Sequence, residues 1–223
     1  MTITKPNIIL VGGTGLIGQQ VIKHLSNHPK WCGTLYAPTR RSIGSQSTDF
    51  LVSLSNDEFF TLDHLDATLG IICLGTTKKQ AGSNEGLYQI DHDLVLRFAK
   101  KMKALGVQRL AVVSSLGANP NAWSHYLKCK GEMERDVHLL EFEHIIFARP
   151  GPLVGKRAIP RVDETVLQNI MKVIRPLMLG PLHNLRPIHA QDVAQFLVSS
   201  VCAKHTLPSI TIATYQQLIQ SKV

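Results

Sequence analysis

The sequence predicts an α/β protein: a doubly wound parallel sheet with a small C-terminal lobe. Three observations carry this. Short apolar runs alternate with segments of helical periodicity, the first run ends in a glycine-rich turn, and the connections between runs are short. The chain has 223 residues, 44% hydrophobic and 18% charged, which suits a single globular domain able to bury a sizeable core without disulfides or metal. Residues 1–223 are therefore read as one domain, with 151–187 forming most of the small lobe.

In chain order, Ile8-Ile9-Leu10-Val11 is a continuous apolar run, the mark of a parallel strand covered on both faces. Gly12-Gly13-Thr14-Gly15-Leu16-Ile17-Gly18 follows, and Gln19 to Ser26 continue with helical spacing at Val21, Ile22 and Leu25. Further strands are expected at Thr34–Ala37, Phe50–Leu54, Leu69–Leu74, Leu110–Val113 and His144–Ala148. Residues Asn84 to Leu105 read as a helix stopped by Gly106, Lys128 to Leu140 as another, and Ala190 to Cys202 as a third. Between the last two, the Pro- and Gly-rich stretch from Gly151 to Pro187 breaks the alternation and is the natural substrate lobe.

Composition sets limits on function. No apolar run approaches 18 residues, so no membrane span is expected. The N-terminus lacks the pattern of a secretory signal, and Cys32, Cys73, Cys129 and Cys202 form no C-x-x-C pair, so the expectation is a cytoplasmic protein with reduced thiols. The net charge of +8 comes from dispersed Lys and Arg without an aromatic-basic stripe, so no nucleic-acid partner is expected.

A glycine turn between a strand and a helix suits a dinucleotide. Gly12 permits the tight turn, Gly15 lets backbone approach a pyrophosphate, and Gly18 lets the helix pack closely. The helix start offers unpaired N–H groups to the phosphates, and Thr14, Leu16 and Ile17 belong to the same cofactor set. The end of the second strand carries Pro38-Thr39-Arg40-Arg41 and no acid, and a guanidinium pairs with a 2′-phosphate. Arg40 is the residue expected there, and NADP is favoured over NAD.

The reaction chemistry is expected after the fifth strand, at Ser114-Ser115 and at Tyr126 and Lys130, which four-residue spacing puts on one helix face. A tyrosine with a pKa near 10 is a poor base at neutral pH, and a neighbouring ammonium favours its phenolate. A serine hydroxyl can hold the substrate oxygen while the tyrosine exchanges its proton. Counting does not settle whether Ser114 or Ser115 does so.

These motifs resemble the short-chain dehydrogenase/reductase superfamily, and more narrowly its atypical branch of Tat-interacting-protein-type oxidoreductases. The resemblance rests on Gly12-x-x-Gly15-x-x-Gly18, Cys73-Leu74-Gly75-Thr76-Thr77, Ser114-Ser115-Leu116-Gly117-Ala118-Asn119, Tyr126-x-x-x-Lys130-Gly131-Glu132 and Arg149-Pro150-Gly151, with Ile188-His189-x-x-Asp192 further on. It implies a Rossmann fold and a catalytic set of Ser115, Tyr126 and Lys130, with Lys130 also holding the nicotinamide ribose. It implies too that Leu74, Gly75 and Thr76 line the adenosine side and that Pro150 and Gly151 sit near the nicotinamide.

The function expected is NADP(H)-dependent hydride transfer to or from a carbonyl or alcohol. The alternatives are a non-catalytic NADP(H)-dependent regulator acting through a protein partner and, third, a nucleotide-sugar epimerase or dehydratase. The superfamily's flanking helices often pair two subunits, so a homodimer is among the expected states. No metal site is expected: His24 and His28 lie at a helix end, and neighbours such as Asp91, His92 and Asp93 point in different directions on a helix.

Overall fold

The computed structural model describes residues 5–40, 50–154, 186–203 and 208–220. Among them, strands β1 (Ile8–Val11), β2 (Leu35–Thr39), β3 (Leu51–Ser55), β4 (Leu69–Ile72), β5 (Arg109–Val113), β6 (His144–Ala148) and β9 (Ile210–Ala213) form a sheet in the order β3-β2-β1-β4-β5-β6-β9. Every pairing in it is parallel. The chain winds outward from β1 to β3, returns to β4 beside β1, and then winds the other way. That reversal opens a crevice at the carboxyl ends of β1 and β4, where ligands of such sheets bind.

Alternation along each strand divides the core in two. Ile8, Leu10, Ile71, Ala111 and Ile146 face one side, with helices α1 (Leu16–Asn27), α7 (Ala190–Val201) and α8 (Tyr215–Gln220). Ile9, Val11, Ile72, Leu110, Val112 and Phe147 face the other, with Phe59 of α2 (Asn56–Thr61) and the inner faces of α5 (Leu94–Ala104) and α6 (His125–His138). Burial on both faces explains why β1, β4, β5 and β6 read as apolar runs.

The long helix expected from Asn84 to Leu105 is three pieces. Helix α4 (Asn84–Tyr88) passes into a π turn (Gln89–Asp93) and then α5. Leu94 N–H bonds to the Gln89 carbonyl five residues back, so one extra residue is accommodated and the helix face rotates. The expected stop is present: Gly106 N–H and Val107 N–H bond back to the Lys103 and Met102 carbonyls, each at 3.0 Å.

Helix α6 starts at His125, three residues before the expected Lys128. Its apolar stripe of Cys129, Met133 and Val137 begins late, and the exposed first turn gives no hydrophobic signal. Periodicity also passed over α2, which opens with a capping box of Ser55 and Glu58, the short α3 (Lys78–Ala81), strand β9 and helix α8. Most of the lobe expected at 151–187 lies outside the described residues. At its two edges β7 (Leu153–Val154) pairs in parallel with β8 (Ile188–His189).

Candidate functional site

Three loops and one helix meet at the crevice. The first is the glycine turn after β1. Gly12 has φ +84°, and a side chain there would stand 2.7 Å from the Cys73 carbonyl oxygen, so the turn lies directly on the end of β4. At Gly18 an added Cβ would fall 2.1 Å from the Gly12 oxygen, so helix α1 packs against the turn as the motif requires. Gly15 caps α1 without a side-chain bond, and the first helical turn contains no acid. Leu16 and Ile17 bury their side chains, so what they present at the helix start is backbone N–H, a ready anion cradle.

The second loop, Cys73 to Thr77, leaves β4 with Cys73 N–H bonded to the Val11 carbonyl at 2.8 Å. Leu74 is half-buried, Gly75 is exposed, and Thr76 N–H donates to Asp91 Oδ2 at 2.8 Å. The third loop follows β5. Ser114 N–H extends the ladder to the Ala148 carbonyl at 2.7 Å, and Leu116 N–H bonds to the Pro150 carbonyl at 3.0 Å. This ties the serines to the segment of Pro150, which is buried, and Gly151, which is half-buried.

The two serines differ in environment. Ser114 is 4% exposed, and its hydroxyl has no hydrogen-bond partner among the described residues. It continues the alternation of Leu110 and Val112 toward the α5–α6 side. Leaving a buried hydroxyl unpaired costs about 1–3 kcal/mol, so such a group is a candidate to bind something. Ser115 is half-buried, and its Oγ makes a long 3.4 Å contact with the Leu116 carbonyl.

Helix α6 supplies Tyr126, 36% exposed, and Lys130, 2% exposed. The Lys130 ammonium is 2.6 Å from Asp91 Oδ1, and Asp91 is fully buried in the π turn. Burial pushes the Lys130 pKa down, but the Asp91 carboxylate, helped by Tyr126, more than reverses this and the ammonium lies above its ordinary range. Asp91 was passed over in the sequence because its neighbours suggested only a metal cluster. Its signal was there: Leu87, Asp91 and Val95 share one helical stripe, and the carboxylate occupies a place where the pattern calls for an apolar residue.

The expectation that Asp91, His92 and Asp93 diverge needs correction at one pair. His92 Nδ1 lies 2.8 Å from Asp93 Oδ1, and its Nε2 lies 2.9 Å from Asp136 Oδ2 on α6. The π turn and the short aspartate side chain let adjacent residues meet. Tyr88 stacks on the His92 ring at 4.4 Å. Further along α6, Glu134 receives Arg149 Nε at 2.9 Å and Nη2 at 2.5 Å, fastening the helix to the end of β6.

Arg40 is exposed just beyond β2, and Arg41 lies outside the described residues. Trp123 and His125, beside Tyr126, are exposed rather than packed into the crevice. Burial pushes the thiols of Cys32, Cys73, Cys129 and Cys202 up to about 12, which makes them poor nucleophiles at neutral pH.

Among solved structures, a UDP-galactose 4-epimerase superposes with a TM-score of 0.67 at 12% identity, covering 93% of this chain and 77% of that one. MoeE5 in complex with UDP-glucose and NAD gives a TM-score of 0.62 at 14% identity, covering 96% and 80%. At these identities the likeness is one of fold: a Rossmann-like α/β arrangement.

Relatives are closer in sequence. The mitochondrial protein FMP52 of Kluyveromyces lactis is 42% identical over 155 residues, 68% of this chain and 69% of that one. The FMP52 of Meyerozyma guilliermondii is 31% identical over 214 residues, 92% of this chain and 90% of its own. These names overturn the expectation of a cytoplasmic location. The features behind that expectation separate secreted from unsecreted chains and do not distinguish cytosol from mitochondrion. A family model described as HIM1 matches residues 20–179. With that model matched over most of its length and a relative aligned along nine-tenths of it, the chain belongs to the HIM1 family.

Proposed function

We propose that the chain is a mitochondrial oxidoreductase that binds a nicotinamide dinucleotide, NADP(H) in preference to NAD(H), and acts on a carbonyl or alcohol. The observation that carries this reading is the buried, charged Lys130 one helical turn from Tyr126, on a helix beside the crevice formed by the glycine turn and the Cys73–Thr77 loop. The mitochondrial placement rests on the names of the relatives.

The residues present fit such a cofactor. Gly12, Thr14, Gly15, Leu16, Ile17 and Gly18 form a cradle without a side-chain cap or an acid, as a pyrophosphate requires. Leu74, Gly75 and Thr76 would border the adenosine, Pro150 and Gly151 the nicotinamide, and Arg40 the 2′-phosphate. When bound, the dinucleotide supplies or accepts the hydride. The chain's own residues then manage the substrate oxygen. Tyr126 exchanges a proton with it, the Lys130 ammonium favours the phenolate and holds the ribose, and Ser115 anchors the oxygen, with the unpaired Ser114 hydroxyl as its rival for that task.

The motif order that resembles the Tat-interacting-protein-type oxidoreductases supports the same reading. A second reading, an epimerase or dehydratase acting on a nucleotide sugar, is favoured by solved neighbours such as MoeE5 in complex with UDP-glucose and NAD and the UDP-galactose 4-epimerase. A third is a cofactor-dependent regulator, in which Lys130 serves only to bind.

Titration of the purified protein with NADPH and NADH is the first test. Tight NADPH binding is expected, weakened about 10- to 100-fold in Arg40→Ala because a charge-assisted contact is lost, with NADH little changed. A carbonyl screen with Tyr126→Phe as control should lose about 10²- to 10⁴-fold in turnover. Turnover of UDP-sugars alone would favour the epimerase, and binding without any turnover would favour the regulator.

A further inference from the structure

We infer that Asp91 is a positioning residue: its carboxylate keeps the Lys130 ammonium charged and fixed, and couples the catalytic helix α6 to the loop that follows β4. The inference rests on the oxidoreductase reading of the site and extends it to a residue that no motif singled out.

Both partners are withdrawn from water, Lys130 at 2% and Asp91 at 0% exposure, and they meet at 2.6 Å. Asp91 uses its other oxygen on the Thr76 N–H at 2.8 Å, so one carboxylate bridges two elements of the crevice. The π turn makes this possible. It directs Asp91 to Lys130 and His92 to Asp136, so two consecutive residues grip α6 at positions six apart.

Stability alone does not account for such a pair, since apolar replacements of a buried ion pair are often neutral or better. Removing one member is a different matter, because it strands the other charge. The ionisable groups that face Lys130 are Asp91 from the π turn and Tyr126 and Cys129 from its own helix. Of these, Asp91 is the one that forms an ion pair with it. Without the carboxylate, burial would favour the neutral amine, and the site would lose the charge that the reading of Tyr126 requires.

The test compares wild type, Asp91→Asn, Lys130→Met and the double variant. Asparagine keeps one acceptor, enough for the Thr76 N–H, and removes both the charge and the acceptor that Asp91 turns toward Lys130. With lysines labelled at Cε, the NMR resonance missing from Lys130→Met identifies Lys130, and its titration is followed directly. The Lys130 midpoint should fall by two pH units or more in Asp91→Asn; an unchanged midpoint would overturn the inference.

NADPH titrated over the same pH range gives the functional readout. In Asp91→Asn, affinity should decline along the Lys130 titration, at pH values where wild type still binds. Affinity indifferent to that titration would remove the positioning role. If wild type binds no NADPH at any pH, the oxidoreductase reading falls, while the NMR titration still decides whether Asp91 sets the charge. Should Asp91→Asn fail to fold, the double variant decides: recovery of a cooperative melt supports the pairing, and failure of both counts against it.

Discussion

At the residue scale, the site depends on places where a side chain is either forbidden or indispensable. Gly131 follows Lys130, and a Cβ there would fall 2.1 Å from the Asn119 carbonyl carbon, so the loop after β5 lies directly on α6. Gly131→Ala should push the loop or the helix aside and cost about 1–3 kcal/mol, as overpacking usually does, measured by urea unfolding. NADPH affinity should fall with it, because Lys130 moves too. Asp136 makes an independent prediction. The Arg135 guanidinium, and then His92, hold its carboxyl below the usual range against the opposing effect of burial. A carboxyl depressed in the fold contributes stability that is present above its unfolded value, near 4, and is lost as pH falls through the folded value. The urea midpoint should therefore drop between pH 5 and pH 3, and less steeply in Asp136→Asn. Lys130 has the opposite sign. Its raised value leaves its contribution intact below about pH 10.4 and removes it only as pH climbs through the folded value.

At the element scale, legibility followed burial. Strands β1, β4, β5 and β6 are covered on both faces and stood out as apolar runs, and β6 occupies the expected residues His144–Ala148. Strand β9 has the burial pattern of an edge strand, with an exposed Ile212 and one fully buried residue, and its signal is correspondingly weak. Helix α2 was announced by Ser55 and Glu58, whose reciprocal bonds measure 3.1 and 2.7 Å, yet a six-residue helix that buries only Phe59 is too short for periodicity to register. Ser55→Ala should cost about 1 kcal/mol, read from the denaturation midpoint. The π turn had no signal of its own. An inserted residue shifts the helical phase by 100°, and over a segment this short the shift merges with ordinary irregularity.

At the scale of the whole molecule, sheet order fixes where chemistry can occur. The reversal between β1 and β4 brings the glycine turn and the Cys73–Thr77 loop together, and the adjacent ends of β5 and β6 add Ser114, Ser115 and Pro150. A ligand that bridges these loops binds only the folded chain. NADPH at about 100 times its Kd should therefore raise stability by about 2.7 kcal/mol, and calorimetry should register a matching rise in Tm. NADH at the same concentration should raise it less. A fluorescent fusion or cell fractionation tests the mitochondrial placement, and a signal confined to the cytosol would contradict it.

The runs of β1, β4, β5 and β6, the glycine turn and the Tyr126–Lys130 spacing were determined by sequence alone, because each is local: a run of apolar residues, a turn only glycine can make, two side chains four apart on one helix. The partner of Lys130 was decided by tertiary structure. Asp91 and Lys130 lie 39 residues apart, and only the packing of the π turn against α6 places them at 2.6 Å. The contrast between the half-buried Ser115 and the buried Ser114, whose hydroxyl has no partner among the described residues, was decided the same way. Burial and long-range pairing belong to the folded sheet and its flanking helices, and no spacing along the chain encodes them.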